Sequence, residues 1–427
     1  MADDSTETQT SHAVARLLSL GAMAAGAGLV IGATTAGFFW LITQMIDAIW
    51  IDLPETLDIT SRWYALVVCS IGGLLVGLGQ KYLGNHPALL DDLLSKEEGT
   101  GGFDVGILPQ ALYMLLVSLA FGGAVGPELS LVFVTGTVGL ALAARLRDAE
   151  TAATARDVSI AAVFGAMFAS PLGGTAVAVE DQKADRLPKG ERVALAAIAA
   201  LLAILSFNWI PTPGLAVVAE WPSYESPRDG TDALWAVPLG IVGLALGLAN
   251  EWLHEHIEHI WKATKAKVIP ALIGGVALGL LGTWTSLLLF SGQDGIDTIV
   301  NTLPTRSSGE LAALALGKLV IVAVLLGVGW RGGHFYPMLF ASSAAGLALA
   351  TAIDPLDPLV AVAAVCAGVL VAILRRVVAA ALLVLLVVPA SMLGISAVAA
   401  VFAFLVVRRL PSKDIGARSA APTTVKS

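Results

Sequence analysis

The chain has 427 residues, 56% of them hydrophobic and only 14% charged, with a mean hydropathy of +0.81 and a formal net charge of −8. A soluble domain is about half apolar and about a quarter charged, so this composition excludes an ordinary soluble protein. The negative balance argues against a nucleic-acid partner. Cys69 and Cys366 both lie in apolar runs and read as small buried residues, neither a disulfide nor a metal pair.

In chain order, residues 1–12, MADDSTETQTSH, are acidic and polar. With no basic region ahead of a short apolar core, they read as a disordered segment and not as a cleavable signal. Apolar windows follow at Val14–Trp50, Trp63–Leu78, Leu234–Ala249, Val268–Phe290, Leu311–Val328, Leu359–Leu374 and Val377–Val407. A hydrocarbon core is crossed by about 20 mostly apolar residues, so the pattern predicts an all-α, multi-pass membrane protein. Basic loops stay in the cytoplasm. That rule places Gln182–Arg192, Trp261–Lys267 and the tail after Val407 inside, and the acidic Asp52–Thr60 and Glu220–Asp232 outside.

Two stretches break the apolar pattern. GGAVGPELS at 122–130 has a counterpart in RGGHFYPML at 331–339, and ASPLGGTAVAV at 169–179 has a vaguer one in RRVVAAALLVL at 375–385. Both offsets are close to half the chain, which suggests a duplicated unit. The expected organisation is a first membrane repeat over 13–230, a second over 231–412 and a cytoplasmic tail over 413–427.

Irregular backbone survives in a membrane only where it is buried or lines a cavity. Gly122, Gly123 and Gly126 allow a turn and a close approach to a ligand. Pro127 suits the first turn of a new helix. The second element, Gly332, Gly333, His334, Phe335, Tyr336 and Pro337, has the same form. Two helix amino ends, one from each half, would present free N–H groups and positive dipole ends near the midplane, and an anion is the natural guest.

On these residues the chain resembles the CLC family of chloride channels and proton-coupled anion antiporters, in its YfeO-like bacterial branch. GGAVGPE at 122–128 resembles the family's G-x-E-G-P, ASPLGGTAVAVED at 169–181 its N-A-P-L-x-G helix, and GWRGGHFYPML at 329–339 its G-x-F-x-P. The resemblance implies an inverted repeat with broken and re-entrant helices. It also implies a homodimer with one path per subunit and an anion site at Gly123, Val125, Gly126, Gly333, His334 and Phe335, the last two giving backbone amides.

Departures from the family pattern matter equally. The family's gating glutamate falls on Val125, which neither titrates nor imitates an anion. In KYLGNHP at 81–87 the family's pore serine is replaced by Gly84 or Asn85, and no tyrosine follows Tyr336. Glu128, on the first turn after Pro127, has three readings: a carboxylate stabilised by a helix amino end, a substitute gate or proton site, or an element that repels anions. Glu180 and Asp181, at the family's inner proton-transfer position, form a proton path or else interfacial acids paired with Lys183 or Arg186. His254, His256 and His259 fit a charged interfacial helix better than a metal site. Arg375 and Arg376 either draw anions to the inner mouth or anchor a helix end.

The function expected is passive or weakly coupled transport of chloride-like anions, with lipid and a second copy as partners and no cofactor. The alternative is a secondary transporter for another small ion or solute, coupled through Glu128 and Glu180/Asp181. No nucleophile–base pair, metal motif or phosphate loop supports an enzyme.

Overall fold

In a computed structural model the structure describes residues 2–84, 87, 105–134, 149–180, 189–210, 221, 224, 230–262 and 266–410. Asp181, Lys183, Arg186, Asn85 and the tail over 413–427 lie outside the described residues.

Fifteen helices of seven or more residues organise the described residues. They are α1 (Ala2–Asp47), α2 (Tyr64–Tyr82), α3 (Leu108–Ala120), α4 (from residue 128 to 134, as far as described), α5 (Ala149–Met167), α6 (Pro171–Val179), α7 (Lys189–Phe207) and α8 (Thr231–Lys262). The remainder are α9 (Val268–Trp284), α10 (Gln293–Asn301), α11 (Ser308–Gly327), α12 (Phe335–Ala352), α13 (Pro358–Leu374), α14 (Val377–Leu383) and α15 (Leu393–Val407). No strand occurs among the described residues, only one isolated bridge between Gly126 and Gly333. Seven of the described helices are long and apolar enough to cross a membrane.

Two features differ from the sequence expectation, and the histidine-rich segment is helical as read. Helix α1 starts at Ala2, so residues 2–12, expected to be disordered, form its first turns; acidic residues favour a helix amino end. The apolar run Val377–Val407 is two helices, because the segment around Pro389 cannot continue a helix. The histidine-rich segment is the last part of the 32-residue α8, where His256 stacks on Trp252 at 5.3 Å.

Helices meet through small residues, as expected where lipid supplies no hydrophobic drive. A methyl at Gly275 of α9 would stand 2.2 Å from the Cys69 carbonyl oxygen of α2. One at Gly243 of α8 would stand 2.0 Å from the Val365 carbonyl oxygen of α13. Helix α13 is buried from Leu359 to Ala372 without interruption, and α12 is buried over nearly its whole length. A helix apolar on all sides belongs inside a bundle. The amino end of α12 therefore opens in the interior of the protein, and that is where the site lies.

Candidate functional site

Helix α3 ends in a turn at Gly122, whose φ of +83° suits glycine; a methyl there would also stand 2.7 Å from the Trp50 ring. Opposite it, α11 ends at Gly327, and Trp330 locks the following turn by donating its indole N–H to the Ala271 carbonyl at 3.1 Å. The two interrupted segments then touch. The Gly126 N–H donates to the Gly333 carbonyl at 2.6 Å, and the Gly333 N–H donates to the Gly126 carbonyl at 2.8 Å. These two amides are satisfied by each other, so they are not the ones that face a guest.

The free donors lie one step further on. His334 is the N-cap of α12 but offers no side-chain cap, leaving the first-turn amides unserved by their own helix. Glu128 serves them from the other segment. Its Oε1 accepts the Tyr336 N–H at 3.0 Å, and the amides of Phe335 and of Glu128 itself also act on the carboxylate. An N-cap oxygen normally accepts from the second or third amide of its own helix. Here a side chain 208 residues away in sequence takes that place. The carboxylate thus sits between two helix amino ends, that of α4 and that of α12, where a bound anion was expected.

The slot is narrow. A methyl at Gly333 would stand 2.4 Å from Glu128 Cδ, and one at Gly126 would stand 1.7 Å from Oε2. Both glycines are needed for the carboxylate to fit. Glu128, Val125, Gly126, Gly333, Phe335 and Tyr336 are all buried, whereas His334 is half-buried. Oε2 is buried with no hydrogen-bond partner. Behind the slot, Phe168 packs on Phe335 with ring centroids 4.4 Å apart, and the Tyr336 hydroxyl donates to the Met167 carbonyl at 3.1 Å.

The other sequence-predicted residues divide clearly. Val125 is buried against Gly332, where a methyl would stand 2.5 Å from its Cγ2. Gly123 closes α3 by donating to the Ser118 carbonyl at 3.0 Å. Glu180 is away from the slot: its two oxygens accept the N–H groups of Val378 at 2.7 Å and Ala379 at 2.8 Å, capping α14. Arg376 donates to the Val177 carbonyl, and Arg375 pairs with Glu251 at 3.3 Å.

Two residues escaped the sequence reading. The Tyr336 amide was missed because the G-x-F-x-P resemblance draws attention to His334 and Phe335. Lys318 was missed although a lone lysine inside the run Leu311–Val328 is itself a signal, since charge within a membrane span is expensive.

Comparison with known proteins bears on the family and the fold. A family model described as voltage gated chloride channel matches residues 94–408. YfeO of Salmonella newport (strain SL254), named for ion transport, is 24% identical over 336 residues, covering 77% of this chain and 79% of its own. YfeO of Escherichia coli (strain SMS-3-5 / SECEC) is 24% identical over 338 residues, covering 77% and 78%. Among solved structures, a slow cyanobacterial Cl−/H+ antiporter superposes with a TM-score of 0.75 at 20% identity, covering 91% of this chain and 94% of that one. A CLC-type fluoride/proton antiporter superposes with a TM-score of 0.71 at 19% identity, covering 91% and 95%.

Proposed function

The chain belongs to the voltage gated chloride channel family, and from that premise we propose that it moves small chloride-like anions through the Gly126–Gly333 slot, with the Glu128 carboxylate as the gate. One observation carries the reading: the carboxylate rests on the amino end of α12, hydrogen-bonded at 3.0 Å to an amide that a dehydrated anion would use. Carboxylate and anion compete for the same donors, so the path is closed while Glu128 is seated and open when it leaves.

The incomplete satisfaction of Glu128 suits a movable group. Glu180, with an amide on each oxygen, is held on both sides, whereas Glu128 leaves Oε2 without a partner. A buried acceptor left unpaired costs about 1–3 kcal/mol, which weakens the seated pose relative to a solvated one. Helix dipoles and N–H groups bind an anion without a fixed cation in the path, and a guest held that way can still leave.

Proton coupling is weak in this reading. Val125, at the family's gating position, cannot titrate, and Glu180 is occupied as a helix cap. The same engagement disfavours a solute carrier that uses Glu180 for coupling. The protein is a multi-pass membrane protein, its basic loops and tail face the cytoplasm, and two copies associate with one path each. The test is ion flux from liposomes holding purified protein. Chloride efflux with no sodium efflux is the expected result; sodium flux without chloride flux would refute the reading.

A further inference from the structure

Lys318 lies near the middle of α11, a candidate membrane span, and its side chain is fully buried. No acidic side chain pairs with it among the described residues. Its Nζ instead donates to four successive backbone carbonyls, those of Leu287 at 3.4 Å, Leu288 at 3.2 Å, Leu289 at 2.9 Å and Phe290 at 2.7 Å. The Phe340 ring completes the enclosure, 5.4 Å from Nζ. Converging carbonyls around a desolvated positive charge are how a protein holds a bare monovalent cation. Here the cation is covalently tethered.

The segment so held is not remote from the slot. The Phe290 N–H donates to the Gly122 carbonyl at 3.0 Å, and the Phe290 ring packs on Trp50 with centroids 5.1 Å apart. Trp50 in turn donates to the Ala120 carbonyl at 2.9 Å. Gly122 opens the short stretch that ends in Gly126 and its bridge to Gly333. An unbroken chain of contacts therefore runs from the ammonium to the slot.

We propose that Lys318 is a positioning residue of the anion path: its ammonium, seated in a backbone cage suited to a monovalent cation, fixes the Leu287–Phe290 turn and through it the Gly122 turn that aims the first pore segment. The proposal rests on the assignment of the Gly126–Gly333 slot as the anion site. It needs the positive charge itself and not merely bulk, because four carbonyl oxygens converge on the ammonium.

The test is Lys318→Ala, which deletes a fragment equivalent to propylammonium. Chloride flux is measured against chloride concentration in liposomes, alone, with propylammonium, and with 1-propanol as an uncharged control of similar size. The half-saturating chloride concentration should rise roughly two- to thirtyfold, the size of effect of a residue coupled to a site without touching its ligand. Propylammonium should restore it and propanol should not. An alanine variant with wild-type half-saturation overturns the proposal, as does equal or absent rescue by the two additives. Should Lys318→Ala not fold, the pair Lys318→Arg and Lys318→Met decides: Arg should keep wild-type half-saturation, and Met behaving like Arg overturns the proposal. Trp50 emission, isolated by comparison with a Trp50→Phe background, reads the turn directly. It should shift in Lys318→Ala and return with propylammonium. Absence of chloride flux in the wild type would sink the slot assignment, whereas an unchanged Trp50 signal would sink the role of Lys318.

Discussion

Glu128→Gln separates a gate from a structural cap. Glutamine keeps the shape and an acceptor oxygen for the Tyr336 N–H, which is 3.0 Å from Oε1, but removes the charge. Hydrogen bonds to a charged group contribute about 1.5–3 kcal/mol against about 0.5–1.5 for neutral ones. The α12 amino end adds up to about 2 kcal/mol for a partly buried anion. Allowing for overlap between these, the neutral side chain is held about 2 kcal/mol less tightly, close to thirtyfold in occupancy at 1.4 kcal/mol per factor of ten. Chloride competes for the same amides, so its half-saturating concentration should fall by about thirtyfold, and flux at low chloride should rise by up to that factor. Protonation of Glu128 does what the substitution does. Wild-type flux should therefore increase as the medium is acidified, and the glutamine variant should be fast and flat across the same range. The assay is chloride efflux from liposomes followed with a chloride electrode, with the membrane potential shunted. A glutamine variant that folds, yet keeps the wild-type rate and pH profile, removes Glu128 from the mechanism.

Three further outcomes follow from the geometry of the slot. Gly333→Ala places a methyl 2.4 Å from Glu128 Cδ, so it should cost about 1–3 kcal/mol of thermal stability as overpacking. In a Glu128→Ala background that clash is gone, and a double-mutant cycle of melting data should return a coupling of about 0.5–3 kcal/mol; strict additivity would mean the two do not share a slot. Val125→Glu forces a longer, charged side chain into a fully buried position packed against Gly332, so it should lower stability by about 1–3 kcal/mol. A stable Val125→Glu protein with a new acid-activated flux would show that Val125 lines the path. Glu180→Gln weakens the cap on Val378 and Ala379 and should cost about 0.5–2 kcal/mol in stability while leaving half-saturating chloride unchanged. A changed chloride dependence would return Glu180 to the transport mechanism.

The sequence carried the interruptions plainly, because glycine and proline inside apolar runs have few other uses in a membrane. GGAVGP and GGHFYP do meet, at the Gly126–Gly333 bridge. Which amides remain free was not legible, since the bridge that satisfies Gly126 and Gly333 is a pairing across 207 residues with no local signature. Local spacing put Glu128 on the first turn of a helix, but only the assembled fold brings it to the Tyr336 amide. Glycine also occurs within Val14–Trp50, and there α1 runs through it. Gly28 and Gly32 instead admit the backbone of α7, where methyls would stand 2.4 Å and 2.1 Å from the carbonyl oxygens of Ala199 and Ala203. Glycine in a membrane helix thus has two meanings, a turn or a close crossing, and a single sequence does not separate them.

The walls of the slot also bear on the direction in which a gating carboxylate would leave. Gly126 and Gly333 pinch the carboxylate from two sides, and the aromatic pair Phe335 and Phe168 closes the side behind α12. Val125 is packed against Gly332, so that side has no room either. His334 is the one half-buried residue among those assigned to the site, and as the N-cap of α12 it directly precedes the amides that meet Glu128. In the gating we propose, the carboxylate leaves past His334, exchanging the α12 amides for water, and an incoming anion follows the same opening. On that reading the family's gating position is free to hold valine. Three residues further on, the side chain starts from the first turn of α4 and reaches across the glycine bridge to the second helix. A gate placed there requires glycine on both strands of the bridge and an amino end without a cap of its own, and α12 supplies that end because His334 offers no side-chain cap.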